Sequence, residues 1–153
     1  MEIRAYHLGE EHEIWQLFHC TIQHINAQHY SQKKLRAWSP AEYDNEVWTE
    51  KLARLCSFVC MSDNKIVGYS DVQKNGYIDH FFCHHQYQGK GVGKALMTHI
   101  HTLAKQQDMT QLSADISITA KPFFEINGFK VVKQQAVPTR GQILVNFKMI
   151  KAL

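Results

Sequence analysis

Proline is scarce in this sequence, three residues in 153, and glycine contributes only eight. That excludes collagenous or low-complexity chains, and no Pro/Gly/Ser-rich linker, repeat or biased tract divides the sequence. There is no CxxC pair: Cys20, Cys56, Cys60 and Cys83 are scattered, mostly among apolar or aromatic neighbours. Unpaired buried thiols in a reducing compartment are the expectation. No apolar run approaches the ~20 residues of a membrane span. The opening MEIRAYHLGEEHEIW lacks a basic region followed by an apolar one, so it does not read as a secretory signal. These absences place the chain in the cytoplasm, with no membrane partner. An excess of one charge is missing too. Seventeen basic against fourteen acidic residues leave +3, and the basic residues are spread rather than clustered, so no nucleic-acid partner is expected.

What is present is an ordinary globular composition, 44% hydrophobic and 20% charged, at the size of one domain. Residues 1–153 are therefore read as a single unit. Met1–Tyr6 alternates as a strand. Ile14, Trp15, Phe18, Thr21, Ile22 and Ile25 recur at helical spacing, which predicts an amphipathic helix from Glu10 to about His24 with a core of Trp15, Phe18 and Ile22. A second helical piece runs from Ser31 to Trp38. Ser39-Pro40-Ala41-Glu42 has the order of an N-cap, a first-turn proline and a capping-box acid, which predicts a third helix reaching Leu55. The period then changes. Ser57–Met61, Lys65–Gln73 and Tyr77–His84 read as three consecutive antiparallel strands, the last two joined through the hairpin signal Asn75-Gly76. Val92–Ala104 is amphipathic, Leu112–Ile118 is a strand, and Lys121–Ile126 is a short helix that Gly128 closes in left-handed geometry. Phe129–Val132 and Ile143–Met149 complete the strands.

The most informative stretch is Gln88-Gly89-Lys90-Gly91-Val92-Gly93-Lys94, three alternate glycines between a strand and a helix. Such a loop can turn consecutive N–H groups toward one point beside a helix N-terminus and so hold a phosphate, with Lys90 and Lys94 adding charge. A plain flexible turn has the same spacing. It is not a Walker A loop, because Gln88 stands where the first glycine belongs and Ala95 where the hydroxyl residue belongs. Nor does it satisfy G-x-G-x-x-G, since Gly89-Gly91 is followed by Lys94 and Gly91-Gly93 by Leu96.

The same residues resemble the [RQ]-x-x-G-x-[GA] loop of the Gcn5-related N-acetyltransferases. Phe81-Phe82-Cys83-His84-His85-Gln86-Tyr87 is similar to the strand that enters that loop. Ala120-Lys121-Pro122-Phe123-Phe124-Glu125-Ile126-Asn127-Gly128-Phe129 resembles the family's second landmark, A-x-x-[FL]-Y-x-x-x-G-F. The resemblance implies a mixed α/β (α+β) fold: a central, mostly antiparallel twisted sheet of about six to seven strands, flanked by about four to five helices. It also implies acetyl-coenzyme A as cosubstrate, no metal, and transfer of its acetyl group to a primary amine by direct attack in a ternary complex. The cofactor-binding positions it assigns are Phe82, Cys83, Gln88, Gly89, Lys90, Gly91, Val92, Gly93, Lys94, Ser117, Phe123 and Phe124.

Three chemical needs follow. A lysine-like amine of pKa about 10.4 is neutral in only about one molecule per 10³ at pH 7, so a base or a desolvating pocket helps. Asp79, alternating with Tyr77, Phe81 and Cys83, is the first choice of base; the other reading is a structural acid. His84 and His85 are weaker choices. The carbonyl oxygen needs a donor, which the family takes from a backbone N–H at the position of Cys83. For the leaving thiolate the family often uses a tyrosine where Phe124 stands, which gives no proton. Tyr87 or a water serves instead, or no acid is needed. Ser117 replaces the family's asparagine, keeping one hydrogen bond to the pantetheine arm but not the two-sided reach of an amide. These departures keep open a catalytically weak acyl-CoA-binding sensor.

His99 and His101 do not share a helix face and do not suggest a metal. Tyr30, Trp38, Tyr43 and Trp48 form either an aromatic acceptor pocket or plain packing. Glu42, Asp44 and Glu46 either receive a cationic amine or form a solvated face. The acceptor itself and the oligomeric state, a homodimer included, are left open.

Overall fold

A computed structural model describes residues 1–153. The chain runs β1 (Glu2–Ala5), α1 (Glu11–His24), α2 (Gln32–Trp38), α3 (Asn45–Arg54), β2 (Phe58–Ser62), β3 (Lys65–Ser70), β4 (Tyr77–Ile78), β5 (Phe81–Cys83), α4 (Val92–Gln106), β6 (Gln111–Ser117), α5 (Lys121–Ile126), β7 (Lys130–Thr139) and β8 (Gln142–Ala152). It is the mixed α/β architecture expected, with mostly antiparallel pairing. The sheet, however, is divided into two four-stranded halves, β1-β2-β3-β5 and β4-β6-β8-β7. No helix is long and apolar enough to cross a membrane.

Both faces of the first half are covered, so its strands are apolar on both sides. On one face α4 lays down Val92, Leu96, Met97 and Ile100 against Phe58, Cys60 and Val67. On the other, α1 and α3 bury Ile14, Phe18, Trp48 and Leu52 against Val59, Ile66 and Tyr69. Ile66 and Tyr69 are three apart yet share a face because β3 carries one extra residue there, Cys60 pairing Gly68 and Met61 pairing Ile66. Such a bulge reverses the alternation. Trp15, Phe18 and Ile22 are core residues, as their spacing predicts.

Three sequence expectations need correction. The third helix is capped by Asp44, whose Oδ1 accepts from the backbone N–H groups of Glu46 (3.0 Å) and Val47 (3.1 Å). Ser39 is instead fully buried, its Oγ accepting from Gln23 Nε2 at 3.0 Å and lying 3.0 Å from His19 Nδ1. Asn75-Gly76 makes a turn, with the N–H of Gly76 donating to the Gln73 carbonyl at 2.8 Å. It does not make the predicted hairpin, because β4 pairs parallel to β6 while β5 takes the edge of β3. The predicted strand Tyr77–His84 is therefore two strands in two half-sheets. Finally, only Cys60 among the four free cysteines is buried; Cys56 is exposed and the others are intermediate.

The last two strands are longer than their apolar runs suggest. They are joined at Arg140-Gly141, both at positive φ (43° and 82°), the geometry of a tight two-residue hairpin turn.

Candidate active site

The site begins at the break between β4 and β5. Tyr77 and Ile78 lie beside Ser113 and Ala114 of β6, whereas Phe81, Phe82 and Cys83 lie beside Ser70, Tyr69 and Gly68 of β3. Beyond Ile78 the neighbours diverge, and a cleft opens between β5 and the end of β6. The crossing is held by a carboxylate. Asp71, fully buried, accepts from the N–H groups of His80 (2.7 Å) and Asp79 (3.2 Å) and from Gln73 Nε2 (2.7 Å). Ser70 Oγ donates to the His80 carbonyl at 2.6 Å.

Strand parity directs the backbone of Cys83 into the cleft. His84 N–H donates to the Val67 carbonyl at 2.8 Å, so the adjacent pair Gly68/Cys83 is not hydrogen-bonded across β3 and β5. Thr21 Oγ1 (3.0 Å) and Gln88 Nε2 (2.9 Å) donate to the Cys83 carbonyl from that open side. The N–H of Cys83 faces the same edge and is left available. Burial, then the nearby Cys60 thiol, pushes the Cys83 thiol up to about 12. The side chain is therefore a protonated thiol at neutral pH, and only the backbone of this residue is equipped for chemistry.

The loop after β5 uses its glycines in two ways. Gly89 and Gly91 have φ of 70° and 86°, and a Cβ on either would meet nothing within 4 Å, so they serve conformation and leave open space above the backbone. Gly93 serves packing, since a Cβ there would lie 2.9 Å from Phe123 Cε1. From Gly89 through Lys94 no backbone N–H donates to another atom of the chain. Gly91 is the N-cap of the 15-residue α4, whose first turn adds orphan donors and a positive dipole end. This cradle suits the pyrophosphate of a coenzyme A substrate.

A cavity of about 430 Å³ follows the cleft. The strand contributes Phe82 and Cys83, and the loop and helix start contribute Gln88, Gly89, Gly91, Val92, Gly93 and Lys94; Ser117, Phe123 and Phe124 close the other side. Lys90 stands apart, its ammonium 5.0 Å from the centre of the Tyr87 ring. Ser117 Oγ accepts from the N–H of Ala120 at 3.0 Å, which leaves its own proton to donate. Phe124 is almost wholly buried, edge-on to Phe81 and Phe129. His84 and His85 line neither this cavity nor the next; they stack on each other, and His85 stacks on His24.

A second cavity, of about 610 Å³, lies between α1, α3 and the β8 side. Tyr30, Trp38, Tyr43 and Trp48 all line it. The two cavities share five residues, Trp38, Asp79, Phe82, Asp115 and Ser117, which form a doorway between them. Asp79 does not lie on a continuous strand face with Cys83, because the strand breaks at Asp79-His80. It stands at the doorway instead.

Sequence reading missed several residues. Asp115 is held there by Tyr77 Oη (3.0 Å) and Gln135 Nε2 (2.9 Å). His80 packs against Phe18 and Phe82, with Nδ1 2.7 Å from Tyr69 Oη and Nε2 3.9 Å from Asp79 Oδ1. Burial, then the Lys51 charge, lowers His80 to about 3, so its imidazole is neutral. Period-two patterning hid His80 and Asp71, whose roles arise only where the strand changes partners. Thr21 lay hidden on a face that otherwise reads as core.

The family model described as "Acetyltransferase (GNAT) domain" matches residues 26–151. An uncharacterized N-acetyltransferase, YafP, of Escherichia coli K12 is 37% identical over 149 residues, 97% of this chain and 94% of the relative. The crystal structure of a Gcn5-related N-acetyltransferase from Rhodopseudomonas palustris, described as "Aminotransferase, Class-II", superposes with a TM-score of 0.95 at 25% identity, covering 99% of this chain and 95% of that one. PaiA N-acetyltransferase from Thermoplasma acidophilum, solved with coenzyme A, superposes with a TM-score of 0.79 at 16% identity, covering 99% and 98%. The chain belongs to the Gcn5-related N-acetyltransferase family and is an acyltransferase.

Proposed function

We propose that residues 1–153 act as one N-acetyltransferase unit that moves the acetyl group of acetyl-CoA to a primary amine by direct attack in a ternary complex. The observation that carries this reading is the doorway: one cavity leads from it to the glycine cradle and the other toward the aromatic residues of α1 and α3. Gly89 through Lys94 receive the pyrophosphate on free N–H groups, with Lys94 supplying charge and Lys90 charge from the loop's outer side. Phe82, Ser117, Phe123 and Phe124 flank the pantetheine arm and the thioester. The N–H of Cys83 donates to the carbonyl oxygen as its charge grows. Asp79, at the doorway, takes one proton from the acceptor's ammonium, and the neutral amine then attacks the thioester carbon. The new bond is C–N and the broken bond C–S, and the second proton shed by the attacking nitrogen passes to the departing thiolate, directly or through water. A thiol of ordinary pKa near 8.5 leaves tolerably without a dedicated acid, in keeping with Phe124. The four unpaired cysteines are in keeping with a cytoplasmic setting.

A second reading, an acyl-CoA-binding sensor with little turnover, draws support from Phe124 and from the internal engagement of Ser117. The deciding measurement is acetyl-CoA binding by calorimetry together with coenzyme A release over a broad amine panel. Gly91→Glu is expected to abolish binding by placing an anion in the cradle, while Gly91→Asn, a residue that tolerates left-handed backbone, keeps the fold and measurable affinity. Unchanged affinity in Gly91→Glu removes the loop from the site. Binding without any turnover selects the sensor.

A further inference from the structure

Resting on the N-acetyltransferase reading and deepening it, we propose that the acceptor is an arylalkylamine, its aromatic ring seated in the second cavity and its primary amine carried on a short arm to Asp79 and Asp115 at the doorway. The cavity, about 610 Å³, is of the size that encloses a small molecule. Its inner wall is built from rings. Trp15 and Trp48 meet edge to face, 5.1 Å apart at 84°, and Phe18 meets Phe82 in the same way at 4.9 Å and 72°. Tyr43 stacks on Trp15 at 4.2 Å. Such a surface offers faces and edges to another flat ring.

Two polar groups of this wall are already used. Trp48 Nε1 donates to the Glu11 carbonyl at 2.9 Å. The Tyr30 hydroxyl donates to the Val145 carbonyl and accepts from the N–H of Ile118. Laid against the ring faces themselves, a sugar or a peptide backbone would leave hydroxyls and amides short of partners, which disfavours both.

Charge selects the other end of the ligand. At the rim Lys51 and Arg140 offset Glu42 and Asp44, and Asp44 is further engaged in capping α3. Over the whole lining four carboxylates, Glu42, Asp44, Asp79 and Asp115, face two cations, Lys51 and Arg140, with Lys94 on the cofactor side, so the cavity keeps an excess of negative charge. Asp115 is oriented by two neutral donors, and the imidazole beside Asp79 carries no charge. One ammonium next to one aromatic body satisfies this pattern. A polyamine would bring its further ammonium groups past Lys51 and Arg140.

The test uses the full chain with 2-phenylethylamine and tryptamine against 2-cyclohexylethylamine, spermidine, aniline and a short peptide with a free α-amine. Acetyl transfer is followed by coenzyme A release, and amine binding by calorimetry with coenzyme A present. The expected result is a kcat/KM for the two arylalkylamines about tenfold or more above each comparator. Tyr43→Ala should raise KM for tryptamine about fivefold with KM for acetyl-CoA unchanged, and Tyr43→Phe should restore it. A preference for spermidine, the peptide, the cyclohexyl amine or aniline overturns the proposal, as does a KM indifferent to Tyr43→Ala. If tryptamine binds but no amine is acetylated, the ring-and-ammonium site stands as a binding site and the transferase reading falls. If acetyl transfer occurs to other amines and neither arylalkylamine binds, this inference falls and the transferase reading stands.

Discussion

Cys83 carries two groups with opposite prospects. Its thiol, pushed up to about 12, is neither a nucleophile nor an acid of useful strength at neutral pH. Its N–H faces the cleft by strand parity and survives any change of side chain other than to proline. Cys83→Ala is therefore expected to retain kcat within about threefold, since removing a catalytic donor costs at least about 10²; steady-state coenzyme A release checks this. A loss of 10² or more would assign the chemistry to the sulfur. Asp79 makes the complementary case, because its carboxylate has no substitute at the doorway other than Asp115. Asp79→Asn is expected to lower kcat/KM more at pH 6.5 than at pH 9, where more of the amine is already neutral. An equal loss at both pH values argues for a merely structural acid. Cys83 was singled out by the family resemblance, and Asp79 by an alternation with Cys83 that the break between β4 and β5 removes, although Asp79 still lines both cavities. His80 and Asp71 were not singled out, since nothing in an aromatic, alternating segment marks the residue at which a strand will leave its neighbour.

At the scale of elements, the turn at Gly76 sets where β4 meets β6. A Cβ there would come 1.9 Å from the Gln111 carbonyl oxygen, and φ is 84°. Gly141, at φ 82°, has nothing within 4 Å. The pair separates backbone strain from collision. Gly141→Ala is expected to cost about 1 kcal/mol, the strain alone, and Gly76→Ala about 3 kcal/mol, strain plus a clash with backbone that cannot yield. Urea denaturation measures both, and equal costs would mean that β6 shifts freely past the turn. The same turn shows how far local signals reach. Asn75-Gly76 reports a reversal correctly, but the partner of the following strand depends on β6, more than 30 residues later, whose place no local pattern encodes. The third helix makes a similar point. Ser39 and Asp44 both have cap chemistry, and the choice between them was made by Gln23, which takes Ser39 Oγ into the core.

For the molecule as a whole, buried and clustered histidines tie stability to pH. His80 is held near 3, His84 near 4, and His85 and His99 are lowered as well, all first by burial. A histidine whose folded pKa is depressed binds fewer protons folded than unfolded, so its stability contribution is present above about pH 6.5 and is lost as the pH falls toward the folded value. Asp71, raised by burial, has the opposite sign and regains some stability as the pH falls through the carboxylate range. Four groups against one predict a urea midpoint lower at pH 5 than at pH 7; equal midpoints would mean that these imidazoles are protonated without cost in the folded state. The amino-acid sequence by itself determined the class of fold, the helices and most strands, and the glycine cradle, because each of these is written in spacings of a few residues and in two motifs. Only the tertiary structure decided that the sheet splits, that the free N–H of Cys83 points into the split, and that Asp79 and Asp115 meet at a doorway to a cavity lined by the α1 and α3 aromatics. Those facts depend on which strand pairs with which, and pairing is settled by the packing of both sheet faces at once.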